Sequence, residues 1–296
     1  MNSVWKKAGW LAVVALGLSV RLSAQVEVAD SAVINGYMRH FKMVIPQGMK
    51  AKAPLVMVLH GYGSSYLKKK TYMRKAAERH GFALCVPDGL KDPKGKRSWN
   101  VGYPQQDGWR EDDVDNLCKL AVRVQRKYGL SKENTFLTGM SNGGDICYLL
   151  AGRKQSTFKA MASVSGQLMK WIYTGPWAGQ AMPFMEIHGT ADPTSLFDGD
   201  LTGVGGWGAY LPVRMAVNAM AAHNRCLQVE TEEREGLTPT NGHKVTIMRY
   251  SGGRNGADVW FYEIKGAVHS WHMADIDTGE EIWKFFSRYL VGVVDE

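Results

Sequence analysis

The sequence predicts an α/β fold: a mostly parallel central sheet covered by helices on both faces. Three observations predict it. Several short apolar runs are too continuous for strands wet on one side. Segments with helical spacing separate them, and glycines close those segments.

The elements follow in order. Tyr37–Ile45 alternates, with Phe41, Met43 and Ile45 on one face, and reads as an antiparallel edge strand ended by Pro46. Leu55-Val56-Met57-Val58-Leu59 is a continuous apolar run ending at His60-Gly61, as in a strand buried on both faces. A helix is expected near Leu67–His80 with Gly81 as its stop, then a second buried strand over Phe82–Val86 that ends at Pro87-Asp88-Gly89. Glu111–Tyr128 carries Val114, Leu117, Cys118, Ala121 and Val124 at helical spacing, and Gly129 closes it. Strands are expected at Asn134–Thr138, Phe158–Ser165, Phe184–Ile187, Val245–Tyr250 and Val259–Ile264, and helices at Asp145–Gly152 and around Val213–Arg225. Thr278-x-x-Glu281 reads as a capping box for a last helix with Ile282, Phe285, Phe286 and Tyr289 on one face. Repeated strand–helix units place ligands at the carboxyl ends of the strands.

With 45% apolar and 22% charged residues, 296 residues supply one sizeable core, and no linker, charge block or repeat divides them. Residues 1–24 stand apart: Lys6 and Lys7, an apolar run from Ala8 to Val20, then Leu22-Ser23-Ala24 before Gln25. This pattern describes a secretory signal peptide cut after Ala24, leaving residues 25–296 as one catalytic domain and a secreted or periplasmic product. The run is shorter than the ~20 residues of a spanning helix, so no stable membrane insertion is expected. Removing Lys6, Lys7 and Arg21 takes the formal charge from +8 to +5. The basic residues are scattered, and the one dense run, Lys68-Lys69-Lys70, reads as a solvated helix face, so nucleic acid is not expected as a partner. Cys85, Cys118, Cys147 and Cys226 include no C-x-x-C pair of metal type, and no metal site is expected. Cys85 and Cys147 read as buried thiols.

Gly139-Met140-Ser141-Asn142-Gly143 follows a predicted strand and opens a predicted helix, the setting of a nucleophile elbow. A serine nucleophile needs a base, and the base needs an orienting acid. In the α/β-hydrolase order the acid follows the serine and the histidine comes last. Asp192, in His188-Gly189-Thr190-Ala191-Asp192, follows one apolar strand; His269, in Gly266-Ala267-Val268-His269-Ser270-Trp271, follows another. His269 is thus assigned as the base for Ser141 and Asp192 as its orienting acid. His188 is read as support for the acid loop, Asp198 and Asp200 as solvated loop residues, and His40, His80, His223 and His243 as ordinary surface or packing residues. A tetrahedral oxyanion needs two donors: the Asn142 N–H and one from His60-Gly61-Tyr62-Gly63, assigned to Tyr62.

These motifs, with Pro87-Asp88-Gly89, Ser98-Trp99-Asn100 and Asp112-Asp113-Val114, occur in an order that resembles carbohydrate esterase family 1 and the related polyhydroxybutyrate depolymerase-like α/β-hydrolases. The likeness covers nearly all of residues 25–296. It implies hydrolysis of feruloyl (hydroxycinnamoyl) or acetyl esters on plant xylan, without a metal or organic cofactor, and the same triad of Ser141, Asp192 and His269. Plant cell-wall polysaccharide or oligosaccharide esters are then the expected partners. Two departures bear on acyl specificity: Val101-Gly102-Tyr103-Pro104 lacks the cysteine cluster many relatives show there, and His272 stands where relatives often have proline. Tyr62, Trp99, Trp207 and Trp271 are candidates for an aromatic acyl pocket rimmed by His272, and each is equally compatible with core packing. The alternatives are a polyhydroxyalkanoate depolymerase-like esterase, a serine peptidase of the same fold, and a non-catalytic carbohydrate-binding protein.

Overall fold

A computed structural model describes residues 25–67 and 72–292. The proposed signal segment 1–24 and the Lys68-Lys69-Lys70 run lie outside the described residues. The strands are β1 (Val26–Ile34), β2 (Tyr37–Ile45), β3 (Leu55–Leu59), β4 (Ala83–Pro87), β5 (Thr135–Met140), β6 (Met161–Val164), β7 (Phe184–Gly189), β8 (Gln228–Glu235), β9 (Lys244–Ser251) and β10 (Val259–Lys265). The helices are α1 (Arg74–His80), α2 (Asp113–Tyr128), α3 (Asn142–Ala151), α4 (Lys170–Thr174), α5 (Val213–Asn224) and α6 (Thr278–Ser287).

All ten strands form one sheet in the order β1-β2-β4-β3-β5-β6-β7-β10-β9-β8. Strands β4, β3, β5, β6, β7 and β10 run parallel to one another, and antiparallel strands flank them on both sides. The period-two alternation of β3 divides the core: Leu55, Met57 and Leu59 face one apolar layer, and Val56 and Val58 the other. The first layer is covered by α2, α3 and α5, the second by α1 and α6. In the second layer Phe286 stacks on Phe136 at 4.9 Å and Trp283 on Phe82 at 4.1 Å. Each such ring contributes roughly 2–3 kcal/mol of burial.

The outer strands correct the sequence reading. β2 is not an edge: β4 lies on one side of it and β1 on the other. β1 is joined to β2 by Asn35 and Gly36, both at positive φ (50° and 83°), the conformation a tight hairpin turn needs. The opposite edge, β8, reads Gln-Val-Glu-Thr-Glu-Glu-Arg-Glu and is exposed along almost its whole length, so no apolar pattern marks it. Its charges discourage pairing with another sheet. The described part of the first helix starts only at Arg74, and Gly81 at φ 71° ends it as expected. The last helix is capped by Asp277, whose carboxylate accepts the Glu280 N–H at 3.3 Å, rather than by Thr278, whose hydroxyl donates to Trp271 O.

Candidate active site

The site is built at the carboxyl ends of β3, β5, β7 and β10. Ser141 is the single residue between β5 and α3, and its backbone takes φ 56°, ψ −127°. A non-glycine residue holds such angles only when its surroundings impose them, at a cost of about 1–3 kcal/mol. The surroundings do so here. A Cβ on Gly139 would lie 2.3 Å from Gly143 O, and one on Gly143 would lie 2.8 Å from the carbonyls of Leu59 and His60. Only glycines let the strand end, the helix start and the loop after β3 cross so closely. Ser141 N–H donates to Val164 O at 2.9 Å, which fixes the turn to β6, and Ser141 Oγ faces Gly61.

Asp192 and His269 meet on adjacent loops. Thr190 N–H donates to Ile264 O, Gly266 N–H to Thr190 Oγ1 and Ala191 N–H to Ala267 O, so the loops after β7 and β10 are bonded to each other. Asp192 is 3% exposed. Its Oδ1 accepts the Thr194 and Ser195 N–H groups, both at 2.8 Å, and its Oδ2 lies 2.7 Å from His269 Nδ1. Burial alone would raise the Asp192 carboxyl; the His269 hydrogen bond and charge outweigh it and hold it below the usual range. An ionised carboxylate only accepts, so Nδ1 carries the proton and Nε2 of neutral His269 is left as the basic nitrogen. Among the described residues no hydrogen bond joins Ser141 Oγ to His269, a contact that in unliganded enzymes of this kind often forms only with substrate.

The loop after β3 is held from behind. His60 Nε2 accepts Gly89 N–H at 2.9 Å and its Nδ1–H donates to Gly61 O at 2.8 Å. Gly63 N–H is taken by Arg97 O and Ser64 N–H by Gly61 O, while among the described residues the Gly61 and Tyr62 N–H groups make no such bond. Asn142 opens α3, where the first N–H groups have no carbonyl one turn earlier to bond.

The aromatic and histidine candidates separate. Trp207 is half-buried and lies edge-on to Tyr62, with ring centroids 5.4 Å apart, and 5.2 Å from Tyr103. Trp99, Trp271 and His272 are instead buried, and each is held by hydrogen bonds within the core. Trp99 Nε1–H donates to His60 O at 2.9 Å, and Trp271 Nε1–H donates to Tyr66 OH at 3.0 Å. His272 Nε2 lies 3.1 Å from Ser165 Oγ, and burial holds its ring down to about 4. Asp200 is not a solvated loop residue either. It is 7% exposed and accepts the N–H groups of Thr202, Gly203 and Gly205, so it organises the loop that carries Trp207. All four cysteines are free thiols.

Sequence reasoning missed the buried polar layer beneath Ser141. Asp145, in the first turn of α3, accepts from Tyr103 OH and from Gln167 N–H, the latter at 2.7 Å. Burial pushes its carboxyl up to about 8. Glu186 on β7, wholly buried, accepts from Tyr148 OH at 2.9 Å and faces His188 Nδ1 at 3.0 Å. The one available signal was a carboxylate, Glu186, inside the apolar run that opens β7.

Residues 40–222, more than half of the chain, match the family model described as Esterase PHB depolymerase. NocK of Nocardia uniformis subsp. tsuyamanensis, a protein named as an esterase, is 28% identical over 183 residues, 58% of this chain; the chain spans half of that protein's length. Feruloyl esterase C of Emericella nidulans is 25% identical over 76% of this chain and 78% of its own. The acetyl xylan esterase structure from Aspergillus awamori superposes with a TM-score of 0.55 at 15% identity, covering 88% of this chain and 99% of that one, a likeness of fold.

Proposed function

The chain belongs to the esterase PHB depolymerase family, and from that premise we propose that it is a serine esterase working through Ser141, His269 and Asp192. The observation that carries this reading is the 2.7 Å contact between His269 Nδ1 and Asp192 Oδ2 at the strand ends that also present Ser141.

His269 Nε2 takes the Ser141 proton as Oγ bonds to the ester carbonyl carbon, and Asp192 stabilises the imidazolium. The N–H groups of Tyr62 and Asn142 hold the oxyanion. Collapse breaks the bond to the alcohol, which leaves with the proton from His269. Water then loses a proton to His269 and attacks the acyl-serine; breaking that bond frees the acid and returns the proton to Ser141. No step requires a metal or an organic cofactor.

The acyl group is read as feruloyl or acetyl on plant xylan. Support comes from the named feruloyl and acetyl xylan esterases among the relatives and from the Tyr62–Tyr103–Trp207 wall beside the oxyanion loop. The family's description favours a second reading, hydrolysis of hydroxyalkanoate polyesters. Among the described residues no helix is long and apolar enough to cross a membrane, and export through residues 1–24 is part of the proposal, checked by the N-terminal sequence of the mature protein. Ser141→Ala and His269→Ala are each expected to abolish hydrolysis of small aryl esters with the fold intact. Retained activity in either one sinks the triad. Parallel assays on methyl ferulate, acetylated xylan and a hydroxybutyrate oligomer decide the acyl group.

A further inference from the structure

Glu186 and His188 stand two residues apart on β7, so their side chains leave the same face of the sheet. Both side chains are 0% exposed. His188 Nε2 lies 2.8 Å from Ser195 O. A carbonyl only accepts, so Nε2 carries a proton. The same Nε2 is 3.5 Å from Asp192 Oδ2, the oxygen that accepts from His269. His188 Nδ1 faces Glu186 Oε1 at 3.0 Å, and these two atoms hold one proton between them, so the pair is neutral as a whole. Its positive edge points at Asp192 and its negative end points away, toward Tyr148 OH and Gly166 N–H.

We propose that Glu186 and His188 are a buried positioning pair for the triad: the His188 Nε2–H edge fixes the Asp192–Ser195 turn and competes with His269 for Asp192 Oδ2. This rests on the esterase reading. The competition limits how tightly Asp192 holds the imidazolium that forms when His269 takes the Ser141 proton. Burial by itself lowers the proton affinity of His188, but the bonded Glu186 raises it further, so the shared proton stays on the pair. Glu186 is raised by its burial. The other titratable groups facing the pair and Asp192 are Asp145, Cys147 and Tyr148 on α3, Tyr210 before α5, and His269 and His272 after β10. His272, held down to about 4 by burial, is neutral in the working range.

The test uses Glu186→Gln and His188→Gln in the full chain; the Gln at 188 keeps a donor for Ser195 O. Hydrolysis of 4-nitrophenyl acetate is followed as a function of pH. Both variants are expected to move the acid limb of kcat/KM up by about 0.5–1 pH unit, because His269 then keeps its proton to higher pH. Well above that limb kcat and KM are each expected to stay within about threefold, because Asp192 still holds His269 Nδ1 in both variants. Two folded variants with an unmoved acid limb overturn the proposal. If neither variant folds, imidazole NMR of the wild-type protein decides: an Nε2–H on His188 that persists from about pH 5 to 8 supports the pair, and a His188 that titrates with an ordinary midpoint of about 6.5 overturns it. A wild-type protein inactive on all the esters tested overturns the functional reading, while the NMR measurement still reads the pair.

Discussion

Asn142 and Trp99 form a closed pair of hydrogen bonds: Trp99 N–H donates to Asn142 Oδ1 at 2.7 Å, and Asn142 Nδ2 donates to Trp99 O at 2.9 Å. The residue after the nucleophile therefore has two jobs. Its backbone N–H is the proposed oxyanion donor, and its side chain locks the strand-end segment whose Trp99 indole bonds to His60 O. Asn142→Ala leaves the buried Trp99 N–H unpaired, at about 1–3 kcal/mol, while Trp99 O keeps its bond from Gln106 Nε2 at 2.8 Å. The variant is expected to lose roughly 1–3 kcal/mol in denaturant unfolding. A loss under about 0.5 kcal/mol would show that the segment does not depend on this pair.

The strained backbone of Ser141 gives a second prediction, because glycine relieves it and alanine does not. Ser141→Gly is expected to stabilise the protein by roughly 1–2 kcal/mol while abolishing hydrolysis, whereas Ser141→Ala is equally inactive without the gain. Thermal unfolding of the two variants side by side checks this. Equal midpoints would mean that the turn is not strained.

Legibility followed the apolar signal. The parallel strands and the elbow were readable because burial on both faces forces continuous apolar runs, and because a close crossing forces glycine at 139 and 143. β8 was not readable, since an exposed charged edge needs no apolar pattern. The Asn35-Gly36 turn did mark the β1–β2 hairpin, but the strand before it buries only Ala32 and Ile34 and lacks a clear alternation. At the site, Ser141, Asp192 and His269 announce themselves by position after strands. Asp145, Glu186 and the roles of Trp99 and Trp271 depend on which side chains meet across elements distant in sequence. Spacing along the chain carries no such information.

Asp145 predicts a pH dependence of stability. Its folded-state affinity for a proton, pushed up to about 8 by burial, exceeds that of the unfolded chain. Between about pH 4 and pH 8 the folded state therefore binds more protons than the unfolded state, and stability falls as pH rises through that window. The slope approaches ~1.4 kcal/mol per pH unit at most. Asn at 145 can still accept from Gln167 N–H and donate to Tyr103, so Asp145→Asn is expected to flatten the profile over this range. An identical slope in variant and wild type would remove Asp145 as its source.

Trp207 supplies the prediction that bears most directly on the acyl group. Its ring packs against Tyr62, the other proposed oxyanion donor, and against Tyr103, whose hydroxyl is committed to Asp145. Tyr103 is buried, so Trp207 is the member of this wall that can be removed with least cost to the fold. An aromatic acyl group stacked on it gains about 0.5–1.5 kcal/mol beyond its area burial, whereas an acetyl group gains none of this. Trp207→Ala is therefore expected to lower kcat/KM for methyl ferulate by roughly threefold to tenfold while changing that for 4-nitrophenyl acetate by less than about twofold. An equal loss on both substrates would show that Trp207 supports the oxyanion loop rather than the acyl group. No loss on either would place the acyl group away from this wall and leave the feruloyl reading without its pocket.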